Sequence, residues 1–340
     1  MDTGKATPTM NDVAAFAGVS HQTVSRVLNG EPFVSEATRQ KVLAAVEALK
    51  YRRNMMAKAL VTGSTNVIGV LVTDPTMTGP SGAVLAIERT ARARGYWLSL
   101  ASVERNEDTD ETARAVSHFV DQGVDGIIAV AQTQVVVDEI LRVATGIPTV
   151  LVTSGVVPPG HATIDIDQAG GSRALLDLLR GLGHTRIAHV MGPPGDLHGL
   201  ARYEEWRRSL APDQPTDGLL VAGDWSSISG YEATLALLDA STPATAIVAA
   251  NDQMALGATR ALSEHGLRVP DDMSVVGFDD IDASNCAIPP LTTIRQNHRA
   301  LGAATLALLL DVIAGQPVRN VTIPAELIVR KSAAPPPDRR

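Results

Sequence analysis

Short apolar runs rich in β-branched residues alternate with helical patterns from Val67 almost to the end of the chain. The first series comprises residues 67–72, 97–100, 126–130 and 149–152. A second series begins at about Thr163 and comprises residues 187–190, 218–221, 246–249 and 273–278. Runs that are apolar on both faces and separated by helices indicate buried parallel strands covered on both sides. The two series predict an α/β core of two lobes.

Polar side chains follow several of these strands. Asn251 follows the run at 246–249, Asp279 follows the run at 273–278, and Arg202 and Trp225 lie beyond two others. Ligands of open α/β sheets bind beyond the carboxyl ends of the strands. An amide, a carboxylate, a guanidinium and an indole together suit a polyhydroxylated ring, which needs paired hydrogen bonds and a flat apolar platform. Singly, each has an ordinary explanation: a helix cap, a solvated arginine or a core tryptophan.

The first sixty residues predict a small all-α domain. A hydroxyl at Thr9 with Asp12 three residues on is typical of a helix start, and Val13 and Phe16 supply an apolar stripe. A helix over 10–17, a turn at 18–20 and a second helix ending at 29–30 form a helix-turn-helix pattern. The second helix should bury Val24, Val27 and Leu28. A third helix is predicted after Ser35 and should bury Val42, Leu43, Val46 and Leu49.

The outward face of the second helix carries His21, Gln22, Ser25 and Arg26. Glutamine pairs with adenine and arginine with guanine through two hydrogen bonds in the major groove. The alternative is an ordinary solvated face of a helical bundle.

The charge distribution favours a polyanion as partner of the amino-terminal part. Residues 1–62 contain eight Lys or Arg and five Asp or Glu, a formal charge of +3, whereas the whole chain carries −8 and the remainder therefore −11. A basic piece joined to an acidic one is typical of a chain that meets nucleic acid at one end.

Three headpiece segments, at 12–14, 17–20 and 23–29, together resemble the LacI/GalR family of bacterial repressors. Segments 251–258, 274–280 and 288–294 resemble the type I periplasmic-binding-protein-like core of the same family. The resemblance implies that His21, Gln22 and Arg26 read operator bases and that Ser20 and Thr23 contact phosphates. The full DNA-binding set that it predicts is Ser20, His21, Gln22, Thr23, Ser25, Arg26, Asn29, Asn54, Ala57 and Leu60.

Residues 51–60 resemble the family's hinge helix, which lies in the minor groove. The resemblance implies that Leu60 wedges between base steps and that Ala57 lets two hinge helices approach, hence a dimer on a near-palindromic operator. Arg53 replaces the usual proline, which should loosen the free hinge. The predicted domains are a headpiece at 1–52, a hinge at 53–63, a core at 64–334 and a disordered tail at 335–340.

For the core, the resemblance implies one lobe of about 67–165 and 298–324 and another of about 166–294 and 325–334. Arg202, Asn251 and Asp279 would hold sugar hydroxyls and Trp225 would stack on the ring. Met77 and Pro80 would form an apolar wall, with His298 where an aromatic hydrocarbon ring is expected. The predicted effector is a saccharide inducer, and the resemblance implies one of galactoside type. The alternative is a corepressor such as a purine, against which the pairing of Trp225 with Arg202 favours a saccharide.

Other functions are poorly supported. A glycosidase needs two carboxylates facing across the substrate, whereas the adjacent Asp279 and Asp280 should point to opposite sides. The expectation is a non-enzyme without cofactor or metal, with His184 and His189 explained by a helix end and a strand.

The polar amino terminus, the single Cys286 and the lack of a long apolar run predict a cytoplasmic protein that is not secreted and has no membrane partner. The absence of a leucine heptad after Arg330 predicts a homodimer.

Overall fold

The structure is a computed structural model that describes residues 8–51, 63–104, 109–211, 216–240 and 244–337. Two compact units divide the chain, Met1–Thr65 and Asn66–Arg340. The hinge positions Arg53, Asn54, Ala57 and Leu60 lie outside the described residues, as does 338–340 of the predicted tail.

The first unit contains three helices, α1 (Met10–Ala17), α2 (His21–Leu28) and α3 (Glu36–Ala48). Local side chains fix where they begin: Ser20 and Ser35 accept the Thr23 and Thr38 amides, and Thr9 forms a reciprocal capping box with Asp12. Gly18 ends α1 with a φ of 65°, which glycine adopts without strain. The predicted helix-turn-helix is confirmed.

The packing of this unit differs from the prediction at two positions. Val13, Val24 and Val42 are completely buried, as expected, but Phe16 is 62% exposed and Leu43 is 44% exposed. In α3 the inward face is set by Val42 and Ala45, three residues apart, which turns Leu43 towards solvent. In α1 the buried residues are Val13 and Ala14, and Phe16 lies outside this buried face.

The second unit is an α/β structure. Its strands in chain order are β1 (Val67–Thr73), β2 (Trp97–Val103), β3 (Gly126–Val130), β4 (Thr149–Val152), β5 (Ala162–Ile166), β6 (Ile187–Met191), β7 (Leu220–Ala222), β8 (Ala246–Ala249), β9 (Ser274–Val276), β10 (Thr293–Arg295), β11 (Asn320–Ile323) and β12 (Glu326–Ile328). Its helices are α4 (Thr78–Ala93), α5 (Thr109–Gln122), α6 (Gln134–Val143), α7 (Gln168–Gly181), α8 (Leu197–Ser209), α9 (Ser227–Asp239), α10 (Asp252–Glu264), α11 (Asp282–Cys286) and α12 (His298–Ile313).

Two parallel sheets organise these strands into two lobes. The six-stranded sheet has the order β11-β5-β4-β3-β1-β2, and the four-stranded sheet has the order β7-β6-β8-β9. A short antiparallel pair, β10 with β12, completes the described strands. The predicted two-lobed α/β core is confirmed, and below we call its parts the six-stranded lobe and the four-stranded lobe.

Two strand assignments from the sequence were wrong in detail. The strand near Thr163 does not open the second series, because β5 pairs with β4 and β11 in the six-stranded sheet. The run at 97–100 is not buried on both faces: β2 is an edge strand, with Trp97 65% and Leu100 56% exposed. Apolar patterning cannot distinguish these cases, because sheet membership depends on pairing with distant segments.

The chain passes between the lobes after β5, after β10 and after β11. These crossings bring the carboxyl ends of strands from both lobes towards each other. Buried apolar clusters fill each lobe, with Phe119 in one and Trp206 and Phe278 in the other.

Candidate functional site

A cleft with a cavity volume of about 40 Å³ lies between the strand ends of the two lobes. The six-stranded lobe contributes Gln132, two residues after β3, and the start of α4. The four-stranded lobe contributes residues just before and within α8 and α10, Trp225 before α9, and Asp279 after β9. The lining residues are Met77, Thr78, Gly79, Pro80, Gln132, Asp196, His198, Arg202, Trp225, Asn251, Gln253, Asp279 and Gln296.

Arg202 is the buried cation of this cleft, with only 5% of its surface exposed. Its guanidinium lies 3.7 Å from the centre of the Phe278 ring and 5.6 Å from that of Trp225. Nε and Nη2 donate to Oε1 of Gln168 at 3.0 and 2.7 Å, and Nη1 donates to the Ala250 carbonyl. Burial lowers the pKa of Arg202, an effect that the charge of Asp279 opposes. Three of the five N–H groups thus donate to described residues, which fixes the guanidinium at the cleft.

Asp279 is the carboxylate closest to this cation. Its Oδ1 lies 3.8 Å from Nη2 of Arg202 and accepts a hydrogen bond of 2.6 Å from Nε2 of Gln296. Burial raises the pKa of Asp279, and Arg202 opposes that rise. Asp280 turns away and pairs with Arg295 and Arg330 at 2.7 and 2.6 Å. The predicted divergence of the two adjacent acids is confirmed, so they do not form the facing pair that glycoside hydrolysis needs.

Trp225 lies in the cleft with a φ of 76° and 8% exposure. Two glycines make room for its ring: a Cβ on Gly192 would lie 2.4 Å from it, and one on Gly199 would lie 3.3 Å away. A flat indole held in this way can serve as a stacking platform for an apolar face of a ligand.

Asn251 caps α10 and supports Trp225 at the same time. Its Oδ1 accepts from the Met254 amide at 2.9 Å, and its Nδ2 donates to the Trp225 carbonyl at 2.9 Å. The helix-cap explanation of this residue is therefore correct, although Asn251 also lines the cleft. Its contact with a ligand stays a prediction.

The opposite wall comes from the start of α4. Pro80 is buried and Met77 is half-buried, and Thr78 accepts a hydrogen bond of 2.7 Å from Nε2 of Gln253 in the other lobe. His298 is not among the lining residues. It begins α12 and packs so closely against α4 that a Cβ on Gly82 would lie 2.8 Å from its ring. Burial lowers the pKa of His298.

Sequence reasoning missed part of the lining. Gln132 follows β3 and Gln296 follows β10, so the strand-end rule could have found both. Asp196 caps α8, while His198 and Gln253 lie inside the first turns of helices, where nothing in the sequence marks them.

The predicted DNA-reading residues lie on the surface of the first unit. His21, Gln22 and Arg26 are exposed on α2, with Arg26 3.6 Å from Glu31. The remaining predicted contacts on this helix are bonded locally: Ser20 and Thr23 join their hydroxyls at 2.8 Å, and Asn29 donates to the Ser25 hydroxyl at 3.4 Å. The face therefore presents an amide, an imidazole and a guanidinium together.

The other histidines of note have structural roles. His184 bonds to Thr245 and to the Ala334 carbonyl, and His189 bonds to the Val248 carbonyl inside β6, where burial lowers its pKa to about 4. Within the described residues no cluster of three or more potential metal ligands occurs. Nor does any helix in that part of the chain have the length and apolarity to cross a membrane.

Each of the two units matches a known protein family. The family of bacterial regulatory proteins named lacI matches residues 9–54, and the periplasmic binding protein-like domain matches residues 176–333. The lactose operon repressor of Escherichia coli (strain K12) is 37% identical over 333 residues, covering 96% of this chain and 91% of that repressor. The ribose operon repressor of the same strain is 34% identical, covering 90% and 93%.

A solved structure agrees with these relatives. The crystal structure of the Lac repressor dimer bound to operator and the anti-inducer ONPF matches with a TM-score of 0.86 and 36% identity, over 96% of this chain and 99% of that one. The family resemblance predicted from the sequence motifs is thereby confirmed. These similarities show that the chain belongs to the LacI family of bacterial regulatory proteins.

Proposed function

We propose that this LacI-family regulator is a homodimeric repressor that binds a near-palindromic operator and leaves it when a saccharide inducer, most simply a galactoside, fills the cleft. The DNA contacts would come from α2 and from the hinge residues beyond the described part of the chain. The coarser function, a DNA-binding transcriptional regulator, follows from family membership.

Operator binding is supported by the chemistry of α2. Gln22 and Arg26 lie one turn apart on an exposed face, where each can pair with a base edge through two hydrogen bonds. The excess of positive charge in residues 1–62 would add phosphate attraction. The similar Lac repressor structure is a dimer on its operator, which supports the same assembly here.

A saccharide effector is supported chiefly by one arrangement, the Arg202 guanidinium beside Trp225 with Asp279 3.8 Å from it. The guanidinium of Arg202 and the carboxylate of Asp279 can bind neighbouring hydroxyls, while the indole covers an apolar sugar face. The names of the two relatives point to lactose and to ribose operons, so the choice of a galactoside is part of the proposal.

Two measurements test the proposal. Calorimetry against galactosides, ribose, glucosides and purine bases identifies the ligand class, and a mobility shift on operator DNA with each compound shows whether it releases or strengthens binding. Release by a galactoside supports the proposal. Tight purine binding that strengthens the DNA complex would establish the corepressor alternative. Binding and release by another sugar would show that the inducer is that sugar and not a galactoside.

The matched variants are Arg202→Ala in the cleft and Arg173→Ala, an arginine whose side chain is 60% exposed and pairs with Glu205. Arg202→Ala should keep operator binding and lose release by sugar, whereas Arg173→Ala should keep both. Normal induction in Arg202→Ala would contradict the assignment of the cleft.

A further inference from the structure

His198 and Asp165 face each other from opposite lobes. His198 lies in the first turn of α8 and lines the cleft, and Asp165 lies on β5 of the six-stranded sheet. Nε2 of His198 is 3.3 Å from Oδ1 of Asp165, and the two side chains are 15% and 18% exposed. We describe the contact as an ion pair, because the buried Nε2 meets the geometry of a hydrogen bond with none of the described residues.

The carboxylate of the pair is fixed within its own lobe. Oδ1 of Asp165 accepts from the Ile166 amide at 2.7 Å, and Oδ2 accepts from the Ser154 hydroxyl. These two donors hold both carboxylate oxygens in place. The side chain of Asp165 is therefore fixed at the position where it faces His198 of the other lobe.

The first turn of α8 is already docked on that lobe. The Leu197 amide donates to the Gln132 carbonyl at 2.9 Å, and the Leu197 side chain packs into the apolar cluster that contains Phe119 and Ile140. Because α8 belongs to the four-stranded lobe, these contacts join the two lobes directly beside the cleft. His198, whose residue type can change its charge near neutral pH, lies in this junction.

Several charged groups act on His198 from the elements around it. Burial by itself would lower the pKa of His198, but the charge of Asp165 reverses the effect and raises the pKa above its ordinary value. The other groups that face the imidazole are Asp196 and Asp279, which favour the proton, and Arg202 and His298, which disfavour it.

We propose that His198 and Asp165 form a proton-dependent latch that holds the cleft closed, with the protonated imidazole tying α8 to the carboxylate on β5. The latch is complete below the ordinary titration range of histidine and is lost as pH rises through the raised value, so the cleft opens more readily in mild alkali. The second cross-lobe bond, from Gln253 to Thr78, joins neutral groups and does not share this dependence. Any effect on sugar retention rests on the proposed function.

The first experiment measures the proton directly. Histidine-labelled full-length protein is titrated by NMR between pH 5 and 9, and the resonance absent from His198→Gln is assigned to His198. We expect its pKa to lie above that of an ordinary histidine and to fall in Asp165→Asn. An unchanged titration in Asp165→Asn, with the protein folded, would overturn the pairing.

The second experiment measures opening through Trp225. The chain has three tryptophans, of which Trp206 is completely buried, and a Trp97→Phe background removes the exposed one. Acrylamide quenching should increase between pH 5.5 and 8.5 in this background and become independent of pH in His198→Gln. The control His118→Gln removes an exposed histidine of α5 and should leave the increase intact.

A quenching constant that is flat with pH in the background protein would refute the latch, as would a rise that persists in His198→Gln. Asp165→Asn provides a second test that retains the histidine and should flatten the response as well. Neither measurement uses DNA or an effector, so a failed latch and a failed effector site would be distinguished.

Discussion

Asn251 fixes the position of Trp225 in the ligand cleft through a hydrogen bond of 2.9 Å from its Nδ2 to the Trp225 carbonyl. Trp225 has a φ of 76°, in the left-handed region that bulky residues rarely occupy. The same amide caps α10 through its oxygen. One side chain therefore both starts a helix and holds a strained loop on which the aromatic platform depends.

Substitution Asn251→Ala should lower both stability and sugar affinity. Loss of the helix cap costs about 1 kcal/mol of unfolding free energy, and the Trp225 loop loses its donor as well. Urea denaturation and calorimetry measure the two effects. The matched control is Asn297→Ala, which removes the cap of α12, a residue outside the cleft lining. Equal loss of sugar affinity in both variants would show that Asn251 acts only through stability.

Arg26→Ala should weaken operator binding and relax the preference at one base pair. A bidentate contact to a base is worth about 1–3 kcal/mol of discrimination. The comparison is Lys41→Ala, an exposed cation on α3, which should weaken binding to all sequences equally if it acts by charge alone. Competition mobility shifts on single-base operator variants provide the measurement, and an unchanged preference in Arg26→Ala would remove it from the reading set.

Local chemistry explains why the headpiece was predictable from the sequence. Thr9, Ser20 and Gly18 set the ends of α1 and the start of α2 through bonds or conformations that involve only near neighbours. Leu43 was assigned wrongly because its burial depends on which face of α3 meets the other helices. Local patterning does not contain that information.

The residues of the cleft were also predictable only where local sequence determines their position. Residues after strands, such as Asp279, were found because parallel strands align their carboxyl ends. His198 was not found, because its importance arises only when β5 of the other lobe brings Asp165 to it.

Gly192→Ala should disable the platform without affecting DNA binding. The added Cβ would lie 2.4 Å from the Trp225 ring, which must then leave its position. Sugar affinity should fall by about tenfold, the upper range for loss of one stacked aromatic contact. Gly181→Ala is the control, since a Cβ there would have no described residue within 4 Å. Calorimetry and an operator mobility shift on the same samples check both claims, and full sugar affinity in Gly192→Ala would exclude stacking on Trp225.

Asp252 should make the stability of the four-stranded lobe depend on pH. It accepts hydrogen bonds from Ser284 at 2.6 Å, from Thr293 at 2.5 Å and from the Ile281 amide at 3.0 Å. Burial, with a smaller contribution from the charge of Asp279, nevertheless raises the pKa of Asp252 to about 7. These bonds join the start of α10 to α11 and β10. A change in the charge of Asp252 therefore alters hydrogen bonds that connect three elements.

The sign of the effect follows from linkage. An unfolded aspartate titrates near pH 4, so the folded state binds an additional proton between about 4 and 7. The contribution of Asp252 to the unfolding free energy therefore falls as pH rises through that window and stays lost above it. Urea denaturation at pH 5, 6, 7 and 8 should show a decline in the natural protein that is smaller in Asp252→Asn. The exposed Asp239→Asn should keep the full decline, and equal slopes in all three proteins would show that Asp252 is ionised throughout.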